Sequence, residues 1–201
     1  MGHRINGRRL SHSLSRSLWG VLACLALACG SAEEPGLQTA RDEGAAALQA
    51  GDDSLALKVS RRALTTLGDD GELLLTAGTA SLNLKRFSDA VDFADRGLPL
   101  SAEAQLTANL RWLQGKALLG RYNDLHDEDD WRRANVALET AVVSGDHRAD
   151  AALMLVLLQD MSDRGDADRQ LRYARELMAL APGSPESTKV TAYLKQQGID
   201  L

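Results

Sequence analysis

Hydrophobic residues after position 36 recur at the spacing of amphipathic helices. One stripe of apolar and small residues defines a first helix: Leu37, Ala40, Gly44, Ala47 and Leu48. A second stripe defines the next helix: Ala56, Val59, Ala63 and Leu67. A turn at Ala50-Gly51-Asp52 separates the two stripes, and Gly68 has the residue type that commonly ends a helix. The pattern predicts two helices joined by a short turn.

This two-helix pattern repeats after 34 residues. When lines of 34 begin at Leu37 and at Gly71, Gly44 aligns with Gly78, and Ala56 aligns with Ala90. Small residues at matched positions indicate that the two helices of each copy cross closely. In the second copy, the second helix is expected to begin after Ser88, which is a suitable N-cap residue.

Two further copies are less regular. The third copy, residues 105–150, is stretched by about ten residues, of which about seven fall in an acidic turn at 121–130. The fourth copy, residues 151–184, keeps Gly-Asp at its turn and a proline near its end. After it, Ser184-Pro185-Glu186 predicts the start of a final helix, 185–198, which would cover the apolar end of the last copy.

These residues resemble tetratricopeptide repeats (TPR), which are 34-residue helix-turn-helix units. The matching features are Gly or Ala at position 8, Ala at positions 20 and 27, and Pro at position 32. The fourth copy departs from the pattern, since Leu158 and Gln170 stand where the family has small residues. The resemblance covers residues 37–184, in copies 37–70, 71–104, 105–150 and 151–184. It implies an all-α fold, an α-solenoid of about four TPR-like repeats with a C-terminal capping helix.

The resemblance also implies a concave face that binds a partner. It places these residues along that face: Arg41, Leu48, Glu72, Thr79, Leu82, Asn83, Asn109, Trp112, Lys116 and Gln159. Such a mixed lining suits an extended peptide or a partner helix, with Trp112 as an anchor. The alternative is that the longer third copy rotates the helix and Trp112 fills the core.

The first 36 residues follow a different pattern. A basic segment precedes 11 apolar residues, Leu18 to Ala28, which is typical of a secretory signal and too short to span a bilayer. The segment Ala26-Leu27-Ala28-Cys29 resembles the lipobox of bacterial lipoproteins, although Ala26 replaces the usual Leu. The resemblance implies that signal peptide 1–28 is removed, that Cys29 carries lipid, and that 29–36 is a tether. The alternative is a cleaved, soluble protein with a buried Cys29.

Charge separates these two parts of the chain. The 201 residues have a net charge of -5, but residues 1–28 contain four Arg and no acid, which leaves the remainder at -9. An acidic body argues against nucleic acid as a partner, because that partner requires clustered Lys and Arg. With Cys24 in the signal and Cys29 lipidated, the body would have no free thiol for a disulfide.

Candidate chemistry is sparse. The chain lacks the nucleophile-elbow, zinc-protease and phosphate-loop motifs, so the sequence predicts neither an enzyme nor a cofactor. The acidic stretch 121–130 suggests a different function, a periplasmic lipoprotein that binds a small ligand or Ca²⁺. This stretch lacks the central Gly of a calcium loop, which favours a solvated insertion whose last acids cap the helix near Trp131, with no metal.

The leading hypothesis is a lipid-anchored protein-interaction module, or scaffold, of the bacterial cell envelope. Its partner would be another envelope protein or a peptide, and lipid on Cys29 would hold it to the membrane. Gly30 follows the cysteine in place of the Asp that commonly retains lipoproteins at the inner membrane. The expected location is therefore the outer membrane, facing the periplasm.

Overall fold

The protein is all-α over the part that the structure describes. A computed structural model describes residues 35–160 and 165–199, which form nine α-helices and one short 3-10 helix, without strands. In chain order the helices are α1 Pro35–Gln49, α2 Asp53–Leu67, α3 Gly71–Asn83, α4 Phe87–Gly97, α5 Ala104–Leu125, α6 Glu128–Val143, α7 Arg148–Asp160, α8 Ala167–Leu180 and α9 Pro185–Gln196. The 3-10 helix, Leu98–Leu100, follows α4 directly.

The helices pack as successive pairs, α1–α2, α3–α4, α5–α6 and α7–α8, and α9 packs against the last pair. Each pair also packs against the next, so the core runs along the chain as two clusters of buried side chains. One cluster lies around α1 to α4, and the other extends from α3 to α9. This arrangement confirms the predicted α-solenoid of four TPR-like repeats with a capping helix.

Several helix starts are capped by the acids and hydroxyls that the sequence indicates. The side chain of Asp52 accepts a hydrogen bond from Leu55 N at 2.9 Å, and the side chain of Ser184 accepts one from Ser187 N at 3.1 Å. Each bond satisfies an amide that has no partner within its own helix. These side chains fix where α2 and α9 begin.

The predicted start of α4 is wrong. The helix begins at Phe87 after Arg86, and no side chain caps it. The preceding turn is closed by backbone bonds instead, since Lys85 N donates to Leu82 O and Arg86 N donates to Ser81 O. Lys85 adopts a left-handed conformation with φ of 58°. Ser88 therefore falls inside the first turn of α4 rather than at its cap.

The predicted acidic turn at 121–130 is also wrong. Helix α5 continues to Leu125, and only His126 and Asp127 separate it from α6. Arg121 Nε donates to Asp130 Oδ2 at 2.6 Å, and a second guanidinium nitrogen binds Asp130 Oδ1. Asp130 is only 1% exposed, because the pair lies between the lengthened ends of α5 and α6. The extra residues thus extend two helices instead of forming a loop.

Close helix crossing depends on Gly115 in α5. A Cβ at this position would lie 2.6 Å from Leu138 Cγ and 3.3 Å from the backbone oxygen of Ala134, both in α6. Both distances are shorter than ordinary van der Waals contact. The absence of a side chain lets α6 approach α5 and bury Leu138 completely.

The N-terminal predictions lie outside the described residues. These are the signal peptide 1–28, the lipid on Cys29 and most of the tether 29–36. Within residues 35–160 and 165–199, no helix is both long enough and apolar enough to cross a bilayer.

Replacing Gly115 with Ala is expected to lower the free energy of unfolding by about 1–3 kcal/mol, because the added methyl overpacks the crossing. The control is Ala45→Gly at an exposed position of α1, which should cost about 1 kcal/mol through helix propensity. The two results together would show that an alanine methyl stabilises the exposed position 45 but destabilises the close crossing at position 115. Urea unfolding followed by circular dichroism measures both changes, and a Gly115→Ala protein as stable as wild type would contradict the crossing geometry.

Replacing Arg121 with Ala should cost about 3–5 kcal/mol, since it leaves the buried carboxylate of Asp130 without its cation. Arg121→Lys should recover part of the loss, because an ammonium keeps the charge but not the two-pronged contact. The matched control is Arg132→Ala, whose exposed pair with Asp129 is worth about 0–1 kcal/mol. Equal midpoints of urea unfolding for Arg121→Ala and Arg132→Ala would rule out a structural role for the buried pair.

Candidate partner-binding face

The first helices of the four pairs carry all ten residues that the sequence places along the concave face. Arg41 and Leu48 lie on α1, and Glu72, Thr79, Leu82 and Asn83 lie on α3, where Leu82 is buried. The remaining four are Asn109, Trp112 and Lys116 on α5 and Gln159 on α7. The residues thus lie on the first helices of successive pairs, but their solvent exposure and their contacts differ widely.

Arg41 joins the first pair to the second. Its Nε donates to Asp70 Oδ1 at 3.1 Å, and its NH2 donates to Asp70 Oδ2 at 2.6 Å. Asp70 also caps α3 by accepting from Leu73 N. Burial alone would raise the pKa of Asp70, but the bonds from Arg41 and Leu73 N hold it below its ordinary value. Arg41 therefore connects the first pair to the second at a position that the sequence assigns to partner binding.

Asn109 makes a similar connection from the third pair to the fourth. Its side-chain amide donates to Asp146 Oδ2 at 3.0 Å, and its side-chain oxygen accepts from Asp146 N at 3.1 Å. Gln105, one turn earlier on α5, binds the other carboxylate oxygen of Asp146. These bonds attach the segment between α6 and α7 to the start of α5.

Trp112 is 7% exposed and belongs to the buried core cluster. Its ring stacks on His147, with centroids 3.7 Å apart and planes at 17°. Its Nε1 donates to Asp150 Oδ2 at 2.7 Å. Burial lowers the pKa of His147, which favours the neutral ring that stacks on the indole. Of the two alternatives for Trp112, packing between helices accounts for its burial.

Lys116 lies one turn beyond Trp112 and completes this contact. Its Nζ lies 4.9 Å from the centre of the Trp112 ring and donates to Asp150 Oδ2 at 3.1 Å. About a third of the Lys116 side chain remains exposed to solvent. The ammonium thus pairs with Asp150 while part of the side chain remains accessible to solvent.

Gln159 is buried at the other end of α7. Its side-chain amide donates to Asn135 Oδ1 at 2.8 Å, and its side-chain oxygen accepts from Asp166 N at 3.2 Å. A partner could reach Gln159 only by breaking these bonds. The fourth pair therefore offers little of the predicted binding face.

The accessible part of the face lies on α1, α3 and α5. Asn83 is exposed and donates to Asp53 Oδ1 at 2.8 Å, while Leu48 and Thr79 are half-buried. Glu72 is exposed beside Arg41, with 3.4 Å between Arg41 Nε and Glu72 Oε2. This surface therefore combines an apolar side chain, an amide, a hydroxyl and groups of both charges. It can contact partner side chains of mixed character.

Sequence reasoning missed the acids that hold the face together. Asp70 and Asp150 both stand one residue before a repeat, in lines that begin at 71 and 151, and each binds a residue of the preceding first helix. That shared position was a signal available in the sequence. His147 had no such signal, because its role depends on stacking against Trp112.

The acids of the stretch 121–130 do not form a metal site. Across the described ranges, no three His, Cys, Asp or Glu side chains come together in a way that could hold a metal ion. Asp130 is bound to Arg121, and the side chain of Asp127 caps α6 by accepting from Asp129 N. A loop of oxygen ligands, the arrangement that the calcium alternative requires, does not exist here.

Comparison with known proteins finds similarity in the fold alone. No family model matches the chain, and no curated protein matches it. One crystal structure of MamA is 20% identical, with a TM-score of 0.59 over 77% of this chain and 84% of that chain. Another MamA structure is 16% identical, with a TM-score of 0.60 over 83% and 97%. A TPR repeats protein from Bacteroides fragilis is 15% identical, with a TM-score of 0.38 over 80% and 98%.

Proposed function

We propose that this protein is a lipid-anchored interaction module of the bacterial cell envelope. The observation that carries the proposal is the combination of two features in one chain. A lipobox-like segment ending at Cys29 precedes a solenoid whose first helices present exposed polar and half-buried apolar side chains. The first feature supports attachment to a membrane, and the second supports binding of a protein partner.

The binding surface is the open part of the concave face, on α1, α3 and α5. Its centre consists of Leu48, Thr79, Asn83 and the exposed end of Lys116. Glu72 and Lys116 supply opposite charges at separate points of this surface, which would fix the orientation of a partner more than its affinity. The occupant is an extended peptide or a helix of another envelope protein.

Binding at this face is coupled to the stability of the solenoid. Arg41 and Lys116 each contact an acid of the next pair. A partner that binds either residue would therefore also affect the contact between that pair and the next. A partner that spans two first helices would hold those pairs in their relative position. Ligands that bind only the folded state stabilise it in this way.

The outer membrane, on its periplasmic side, is the proposed location. Support comes from the basic segment and short apolar run before Cys29, and from Gly30 after it. An acidic body of 173 residues agrees with a protein partner rather than nucleic acid, which attracts clustered Lys and Arg.

Photo-crosslinking in cells tests the binding face. A benzoylphenylalanine at position 83, on the open face of α3, is expected to produce a discrete crosslinked product. The control position is 136, on the exposed outer side of α6, which should not yield that product. Thr79→Trp, which fills the face beside position 83, should abolish the product. The proposed face is wrong if positions 83 and 136 yield the same products or if Thr79→Trp has no effect.

Detergent phase partitioning tests the anchor. The wild-type protein should enter the detergent phase, and Cys29→Ser should remain in the aqueous phase, because acyl chains supply about 0.8 kcal/mol for each buried CH₂. Cys24→Ser is the matched control and should behave as wild type. Intact mass should show lipid on wild type and on Cys24→Ser, but not on Cys29→Ser. A wild-type protein with the mass of an unmodified chain would exclude the anchor.

A further inference from the structure

Three apolar side chains project from one edge of the solenoid. Leu67 ends α2, Leu100 ends the 3-10 helix after α4, and Val143 ends α6. They are 41%, 48% and 76% exposed, respectively. Leu67 and Val143 end the second helices of their pairs, and Leu100 ends the 3-10 helix that continues the second helix of its pair, so the three lie at corresponding ends of the first three pairs.

Contacts between helix ends place these residues on the edge where α1 begins. A Cβ on Gly36 would lie 3.9 Å from Leu67 Cδ1, which joins the start of α1 to the end of α2. Asp69 accepts from Arg96 Nε at 3.2 Å, which joins the start of α3 to the end of α4. The bonds of Asp146 to Asn109 join the segment after α6 to the start of α5. One continuous edge thus carries α1's N-terminus and all three apolar residues.

We infer that this edge, which we call the Leu67–Leu100–Val143 edge, rests on the lipid bilayer that holds Cys29. The inference rests on the proposed lipid anchor, because the anchor supplies the membrane. The occupant of the edge is a lipid surface, and the length of chain between Cys29 and Pro35 argues for it.

Six residue steps separate Cys29 from Pro35, and six steps span at most about 21 Å in any conformation. The opposite edge also carries three exposed apolar residues, Leu55 in the first turn of α2, Leu84 after α3 and Leu125 at the end of α5, so exposed apolar surface alone does not distinguish the two edges. Helix α2 has 15 residues and is about 22 Å long. If the opposite edge faced the bilayer, the tether would have to be fully extended to cover that distance. The short length of the tether therefore favours contact between the bilayer and the edge at which α1 begins.

Charge indicates which kind of lipid this edge accepts. Glu103 and Asp146 are exposed on the same edge as Leu100 and Val143, so an anionic bilayer would repel it. A neutral bilayer would admit the apolar side chains without that cost. Three such residues bind weakly alone, but attachment through Cys29 makes their contact intramolecular and raises their effective concentration.

Contact at this edge also orients the binding face. The helices run from the edge toward its opposite side, so their long axes point away from the bilayer. The concave face then opens sideways, where a peptide or helix can approach Thr79 and Asn83 without meeting lipid.

Site-directed fluorescence on the lipidated full chain tests the orientation. Single cysteines are introduced as Leu100→Cys, Val143→Cys and, as the matched control, Leu125→Cys on the opposite edge. Each is the only thiol, since Cys24 leaves with the signal and lipidated Cys29 is a thioether. The labelled proteins are reconstituted in vesicles of phosphatidylcholine that contain a quencher attached to lipid, and an aqueous quencher is used separately.

The expected result is several-fold stronger quenching by the lipid-bound quencher at positions 100 and 143 than at position 125, with the opposite order for the aqueous quencher. Equal quenching at all three positions would overturn the orientation and leave the anchor intact. Protection at 100 and 143 from both quenchers would also overturn it, because it would show a contact between copies of the chain. Protein that carries no lipid by mass would overturn the anchor and this inference together.

Discussion

The rest of the structure depends on how closely the two helices of a pair approach each other. In the third pair, Gly115 leaves room for Leu138, and Ala134 and Ala141 lie fully buried or nearly so on the facing helix. Helices that approach this closely bury their small residues at high packing density, and dispersion contacts then accumulate over the whole crossing.

Polar contacts supplement this packing at the joints between pairs. Arg41 reaches Asp70, and Trp112 and Lys116 reach Asp150, in each case from a first helix to the start of the next first helix. These contacts lie on the face that we propose for partner binding. The same side chains therefore hold the repeats together and line the proposed binding face, so the proposed recognition would depend on the rigidity of the array. A solenoid in which each repeat contacts only its neighbours is sensitive to such links.

The lengthened third pair shows how an insertion can become part of the core. The extra residues continue α5 to Leu125, and Arg121 and Asp130 bind each other near the end of that hairpin. A stretch rich in acids suggested a solvated turn or a cation site, since carboxylates are usually exposed. Pairing with a guanidinium allows one of them to be buried instead, because the cation and the two hydrogen bonds compensate for lost hydration.

Local signals in the sequence predicted much of the fold. The 34-residue period, the apolar stripes and the cap at Ser184 all act through residues near one another in the chain, and each appears as expected. The start of α4 was mispredicted, because backbone bonds of the preceding turn replaced the expected cap at Ser88. For the concave face, the sequence predicted only a set of positions. It did not indicate which of those side chains are buried or bonded to neighbouring helices.

The sequence by itself determined the helical class and the number of repeats, because periodicity and residue type act locally. Only the tertiary structure decided that Trp112 and Gln159 are buried, that His147 covers the indole, and that residues 121–130 extend two helices. Burial and ion pairing depend on residues 9 to 38 positions apart in the chain. Such contacts exist only once the helices have packed.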